Sequence, residues 1–282
     1  MTYCVGIEVD EGLVFAADTR TNASLDDVRV HRKLHEFEFP GQAAFVIMAA
    51  GNPATTQLLI SRLRRDVEEQ REQNLCAYRH LFEVAEYVGR ILVDSQVKSS
   101  TPEHGHDGIN TQATLILGGQ VGGEQPGMYM IYPLGNAIAA SPETPFLQIG
   151  ESKYGKPILD RIIRPQTRLE DAARTAIVSL DSTIRSNLSV GLPVDLVLIR
   201  TGDLRISQRM RLAGDSPLYA EIHGSWSHKL EQAVASLPGF PLGRKMTARP
   251  ARPPTVVAYR MDAVGVDAVP VDAIRGRCEP GQ

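Results

Sequence analysis

MTYCVGIEVDEGLVFAADTR (residues 1–20) sets two apolar runs on either side of Asp10-Glu11-Gly12 and ends the second of them on an aspartate, Asp18. The runs YCVGIEV (3–9) and LVFAAD (13–18) are of strand length, and the break between them is turn-forming, so a β-hairpin is predicted. VRVHRKLHEF (28–37) reads as a third extended segment. AAFVIMAAG (43–51) reads as a fourth and, being apolar almost throughout, as a central one. Asn52-Pro53 then supplies a capping side chain and a proline for a first helical turn, with Leu59, Ile60, Leu63 and Val67 at helical spacing behind it. A second helix carries Leu81, Val84, Ala85, Val88, Ile91 and Leu92 on one stripe.

After the loop SSTPEHGHDGIN (99–110), extended segments return in QATLILGG, GMYMIYPL and NAIAA, separated by glycine-rich turns. Two more helices are predicted near 153–163 and 168–187, the latter with Leu169, Ala172, Ala173, Ala176, Ile177 and Leu180 on one face. PVDLVLIR and LRISQ, joined through Thr201-Gly202-Asp203, predict a last hairpin, and SPLYAEIHGSWSHKLEQAV a further helix or helix pair. Strands in runs and helices in pairs do not match a parallel βαβ sheet. They predict an α+β fold, a four-layer αββα sandwich occupying residues 1–236. From about 237 the composition changes: LPGFPLGRKMTARPARPPT holds five prolines, and 237–282 is predicted as an extended appendix, with VVAYRM as one further strand.

Composition narrows the function. With 43% hydrophobic residues the chain can bury a sizeable core, and a net charge of -3 marks neither a nucleic-acid binder nor a polybasic membrane-surface protein. Three cysteines, Cys4, Cys76 and Cys278, without CxxC spacing, argue against a disulfide framework or structural zinc and fit a reducing cytoplasm. No secretory signal or membrane-spanning run is legible. No cofactor or metal is expected: His104, His106 and Asp107 in EHGHDG lack a second matched cluster and read as an exposed loop.

The chemistry of the opening turns on Thr2. A threonine hydroxyl is a poor nucleophile without a base, and a free α-amino group on the same residue is such a base. Thr2 becomes that terminus if Met1 is removed, which the small second side chain permits. Asp18 and Lys33 meet Thr2 if their strands are neighbours, the cation favouring the alkoxide and the carboxylate holding the cation. On spacing alone, an ordinary exposed terminus beside a surface Asp18–Lys33 pair is the competing reading.

The run from Thr2 through VFAADTRT, Lys33 and IMAAGNPATTQLLISRL resembles the proteasome β-subunit and HslV family of N-terminal-nucleophile (Ntn) hydrolases. Within it, the MTYCVGI opening and the chain length resemble the bacterial branch, Anbu. The resemblance covers about residues 2–205. It implies the αββα sandwich and threonine-type hydrolysis of peptide or amide bonds, within a large homo-oligomer built as a ring or an open helical turn. An ATPase partner is left open. Carried over residue by residue, Thr2 matches the nucleophile, Asp18 and Lys33 its supporting pair, and Gly51 the backbone donor to the oxyanion. Thr19, Arg20, Thr21 and Asn22 match the segment that aligns the substrate backbone. The family's serine turn meets IGESKYG, where Ser152 is preferred to Glu151. Its Asp-x-x-Ser pair meets RSNLSVG, where Ser186 and Ser189 fit the spacing, the aspartate is missing, and Asp181 compensates only if it points inward. A specialised amidase and a noncatalytic assembly subunit that keeps Met1 are the alternatives to a peptidase.

Overall fold

The structure, a computed structural model, describes residues 2–22, 28–99, 110–239, 257–262 and 265–270. Met1 and the EHGHDG loop lie outside the described residues. The chain divides into two compact units, Met1–Ala235 and Ser236–Gln282. In the first, β1 (Tyr3–Val9) and β2 (Gly12–Asp18) form the expected hairpin, with Cys4 opposite Ala17 and Val9 opposite Gly12. A small ladder of β3 (Arg20–Asn22) and β4 (Val28–Val30) follows, then β5 (Leu34–Phe39) and β6 (Ala43–Gly51). Next come α1 (Pro53–Glu68), α2 (Leu81–Ser99), β7 (Ala113–Val121), β8 (Gly127–Ile131), β9 (Ala137–Ala139) and β10 (Phe146–Gly150). The unit closes with α3 (Lys156–Ile162), α4 (Leu169–Ser186), β11 (Val194–Arg200), β12 (Gln208–Leu212) and α5 (Pro217–Ala235). The second unit holds one described hairpin, β13 (Val257–Asp262) with β14 (Gly265–Pro270), which includes most of VVAYRM.

Two antiparallel five-stranded sheets, in the orders β10-β1-β2-β11-β12 and β5-β6-β7-β8-β9, carry the fold. The alternation of side chains along a strand sorts each sheet's residues into two layers. Cys4 on β1, Leu13 and Phe15 on β2, and Ala44, Val46 and Met48 on β6 meet in a core between the sheets. Their neighbours Tyr3, Val5, Ile7, Val14 and Ala16 face the α4 side, where they pack on Ala172, Ala176 and Leu180. Phe45, Ile47 and Ala49 instead pack on Leu59, Leu63, Val84 and Val88 of α1 and α2. Because β1, β2 and β6 are buried on both faces, they read as continuous apolar runs rather than alternating ones.

The structure departs from the expected elements at several places. VRVHRKLHEF is not one strand: β4 ends at Val30 and β5 begins at Leu34, in different sheets, and Lys33 sits between them. FLQIG, not predicted as a strand, is β10 and pairs with β1 next to Thr2, Tyr3 opposite Gly150. The last hairpin strand is QRMRL rather than LRISQ. Gly202 and Leu204 adopt positive φ and Ser207 Oγ caps Arg200 N–H at 2.8 Å, so the turn runs on to Ser207 and the ladder starts at Leu198–Gln208. The first helix of the second pair begins at Lys156, after a turn.

Candidate active site

The site forms where the ends of β1, β2 and β6 meet the turn after β10. Asp18 ends β2 fully buried, and its neighbours are all donors. Tyr3 N–H reaches Oδ1 at 3.0 Å, Lys33 Nζ reaches the same oxygen at 2.7 Å, and Gly191 N–H reaches Oδ2 at 3.3 Å. Burial pushes the Asp18 carboxyl above the usual range, and the Lys33 ammonium with the two N–H groups pulls it back only in part. Lys33, itself 4% exposed, also donates to the Arg20 carbonyl at 2.6 Å. An ammonium has three protons, so among the described residues one is left for the cleft that Lys33 lines.

Thr2 is pinned through its backbone. Its carbonyl accepts from Glu151 N–H at 2.8 Å, and the next amide is the one bound by Asp18. The close approach depends on Gly150: its φ is +83°, and a Cβ there would stand 1.9 Å from the Thr2 carbonyl oxygen. Tyr3, beside Thr2, is anchored behind the site, its hydroxyl 2.6 Å from Ser179 Oγ of α4 and pushed up to about 12 by burial. Cys4 is buried and its thiol is pushed far up by desolvation, which keeps it a protonated core residue rather than a rival nucleophile.

Across from Thr2, β6 ends at Gly51 and α1 begins two residues later, at Pro53. Asn52 Oδ1 caps the helix, accepting from Ala54 N–H at 2.9 Å and Thr55 N–H at 3.2 Å. Gly51 has φ +125°, and an added Cβ would meet the Gln112 carbonyl oxygen at 2.4 Å. The two walls enclose a cleft of about 420 Å³, lined by Thr2, Thr21, His31, Lys33, Gly51 and Glu151 together with small apolar residues of β6. The Nε2 of His31 is buried and has no hydrogen-bond partner among the described residues.

A proteasome subunit family model matches residues 2–199. The chain belongs to the proteasome subunit family. Among solved structures it is similar to Anbu (ancestral β-subunit) from Yersinia bercovieri, at 40% identity and a TM-score of 0.80, covering 85% of this chain and 100% of that one. It is equally similar to the Anbu chain from Pseudomonas aeruginosa, described as a helical assembly: 40% identity, TM-score 0.80, 85% of this chain and 98% of that one. An Anbu (Gly-1) mutant from Hyphomicrobium sp. strain MC1 aligns at 38% identity and a TM-score of 0.78, over 85% of this chain and 99% of that one. A comparison with curated protein sequences found no match.

Of the residues matched to this proteasome-type pattern, Thr2, Lys33 and Gly51 line one cleft, and Asp18 stands behind Lys33. Ser152, Ser186 and Ser189 are not among the residues that line this cleft. Glu151, not the preferred Ser152, is on the cleft wall; Ser152 is in the turn behind it, its carbonyl accepting from Lys156 N–H at 3.0 Å. Asp181 does not point toward Thr2: it is buried against α5, accepting from Tyr219 O–H at 2.7 Å. Ser186 is the exposed last residue of α4. Ser189 sits in the 187–191 turn, its N–H bound to Asn187 Oδ1, and among the described residues its hydroxyl makes no hydrogen bond to Thr2, Asp18 or Lys33. That turn serves the site through Gly191 N–H instead.

The 19–22 segment divides its duties. Thr19 bonds the Pro193 carbonyl with both its N–H and its hydroxyl, while the Arg20 guanidinium turns to the 188–191 turn and donates to the Leu188 carbonyl at 3.1 Å. Of Thr19, Arg20 and Thr21, Thr21 is on the cleft wall, and the Asn22 side chain lies outside the described residues. Among the described residues β3 pairs only with β4, so its other edge carries no strand. Gly150, Gly191, Glu151 and His31 were the positions that sequence reasoning missed or passed over. Gly150 alone carried a signal, a glycine directly after an apolar run.

Proposed function

We propose that this protein is a threonine-type peptidase whose nucleophile is the Thr2 hydroxyl, freed by loss of Met1, acting in the cytoplasm within a self-compartmentalising homo-oligomer. The observation that carries the reading is the buried Lys33–Asp18 pair at 2.7 Å opening into the cleft that Thr2 lines. Burying an ion pair is costly unless the charges are fully bonded, and here three N–H donors converge on one carboxylate, an arrangement suited to fixing a cation beside a nucleophile.

The proposed sequence is as follows. The neutral Thr2 α-amine takes the hydroxyl proton, directly or through one water, as Oγ1 attacks the substrate carbonyl carbon. The Lys33 ammonium offsets the negative charge near Oγ1, and the Gly51 N–H, backed by the α1 N-terminus, receives the oxyanion. The tetrahedral intermediate collapses as the protonated amine gives its proton to the departing substrate nitrogen, leaving an ester on Thr2. Water, deprotonated by the same amine, attacks that ester and restores the hydroxyl. The free edge of β3 supports substrate alignment by strand addition at Thr21. The helical assembly described for the P. aeruginosa relative supports a homo-oligomer here. Among the described residues no helix is long and apolar enough to cross a membrane.

Intact mass of the purified protein is expected to lack Met1, and that material is expected to cleave members of a peptide-amide library. Active protein that retains Met1 in full would end the terminal-amine mechanism. Processed protein that cleaves no library member would favour the specialised amidase or the assembly subunit. Gly51→Ala is expected to lower kcat about 10²–10³-fold, because the added methyl drives the donor away from the Gln112 carbonyl. Peptide hydrolysis by this variant at wild-type kcat would remove Gly51 from the oxyanion role.

A further inference from the structure

The cleft beside Thr2 holds more basic groups than the proposed reaction uses. Ala49 N–H bonds the Lys33 carbonyl at 3.0 Å, so residues 31–33 run alongside the end of β6, where Gly51 stands. His31, Arg32 and Lys33 all line the cleft. Lys33 is tied to Asp18, but His31 and Arg32 have no part in the chemistry at Thr2.

His31 is half-buried, and its Nε2 is sealed from water with no hydrogen-bond partner among the described residues. A buried polar nitrogen left in this way is costly, and a ligand that bonds it removes the cost. Arg32 is exposed at the rim and has no ion-pair partner among the described residues. The carboxylates on its other side are already engaged, Glu36 by Arg209 and Asp195 by Arg211. On the facing wall, the first turn of α1 carries no acidic side chain to offset the positive end of the helix. Glu151 is the acid of the lining, and Lys153 Nζ stands 3.7 Å from it. The remaining wall is small, with Ala49, Ala50 and Pro53 beside Thr56, whose hydroxyl is turned to the Asn52 carbonyl at 3.0 Å. The positive field reaches His35 on β5: burial first, then the charges of Arg64, His31 and Arg32, hold its imidazole down to about 4.

We propose that this cleft selects a carboxylate: the substrate residue whose carbonyl carbon Thr2 attacks is glutamate or aspartate, its side chain bonded by His31 and Arg32. This rests on the threonine-peptidase reading and adds the substrate class to it. A carboxylate accepts from the Arg32 guanidinium and from an imidazole N–H together, and both bonds are charge-assisted. Turning of the His31 ring presents Nε2 to it, since no bond among the described residues holds that nitrogen. An apolar side chain would leave Nε2 unpaired. A lysine or arginine side chain would meet Arg32, the Lys33 ammonium and the helix N-terminus, with Glu151 already near a cation. An uncharged amide meets the need of His31 but not that of Arg32.

The test uses the full chain and acyl-tripeptide coumarin amides that differ only in the last residue: Glu, Gln, Asp, Asn, Leu or Lys. For processed wild type, kcat/KM for the better acid is expected to exceed that for its own amide and for Lys at least tenfold. Arg32→Glu, a change at an exposed position, is expected to invert the acid-to-Lys ratio. His31→Leu is expected to lower the acid-to-Leu ratio at least tenfold, whereas His31→Gln, which keeps a donor, is expected to retain most of it. Dye-labelled forms of the same peptides, bound to Thr2→Ala protein and followed by fluorescence anisotropy, are expected to show the same order. Amides cleaved as well as their acids, or an acid-to-Lys ratio that Arg32→Glu leaves unchanged, overturn the proposal and leave the peptidase reading standing. Acid-selective binding by Thr2→Ala, with no peptide cleaved by processed wild type, upholds the carboxylate site and ends the peptidase reading. Neither cleavage nor binding ends both.

Discussion

Thr2→Ala is expected to lower peptide hydrolysis by about 10⁴-fold or more while leaving the fold in place, because the proposed reaction has no second nucleophile to fall back on. The side chain is small and only partly buried, and Thr2 is held through its backbone carbonyl by Glu151 N–H at 2.8 Å, a bond the substitution leaves intact. Removing a hydroxyl there is expected to change stability by no more than about 0.5 kcal/mol, a shift of a degree or two in melting temperature for a chain this size. Thr2→Ser keeps both the hydroxyl and the amine and is expected to retain part of the activity. The measurement is kcat/KM for each variant, with melting temperature and intact mass recorded alongside. Turnover that survives Thr2→Ala places the nucleophile elsewhere, and equal loss in the alanine and serine variants points to disturbed geometry rather than lost chemistry.

Lys33→Ala is expected to abolish turnover as well, but with a different stability signature. From spacing alone this lysine reads as a site-facing charge whose removal spares the fold. In the structure it is 4% exposed and bonded to a carboxylate with no exposure at all, so its loss leaves Asp18 charged, buried and without a countercharge. Breaking a buried pair in this way costs about 3–5 kcal/mol. The cost depends on pH with a definite sign. Burial already raises the Asp18 carboxyl above its ordinary value, and removing the ammonium raises it further. Between the unfolded and folded values the native state binds more protons than the unfolded one, so stability falls as pH rises through that window. The deficit of Lys33→Ala relative to wild type is therefore expected to be small near the unfolded aspartate value of about 4 and to grow toward neutral pH. Urea unfolding at acidic and neutral pH measures it. A deficit that shrinks as pH rises would show that Asp18 is not the group left uncompensated.

The layered architecture was legible in the sequence because each layer leaves a local trace. YCVGIEV, LVFAAD and AAFVIMAAG are apolar on both pleat faces since each lies between a second sheet and a helix layer, and helical stripes such as Leu59-Ile60-Leu63 mark what covers them. β10 was not legible. FLQIG is five residues long at a sheet edge, and nothing within it separates it from the turn that follows. LRISQ misled for the opposite reason: its composition suits a strand, but the positive φ at Gly202 and Leu204 lengthens the turn and moves the pairing to QRMRL.

For the site, the chain itself determined the residue types that carry the proposed chemistry. Thr2, Asp18 and Lys33 stand near strand ends, and Gly51 stands at a strand-to-helix junction marked by Asn52-Pro53, all of it written within one stretch of local structure. Only the tertiary structure decided what surrounds them. The N–H groups of Glu151 and Gly191 reach Thr2 and Asp18 from elements far along the sequence, and a backbone N–H carries no side-chain signature to read in advance. Whether Glu151 or Ser152 faced the cleft depended on the rotation of one turn, and Asp181 looked inward or outward according to where α5 packed. Patterns of local spacing record which way a strand or helix faces; the convergence of distant backbone groups on one carboxylate is set by how the layers stack.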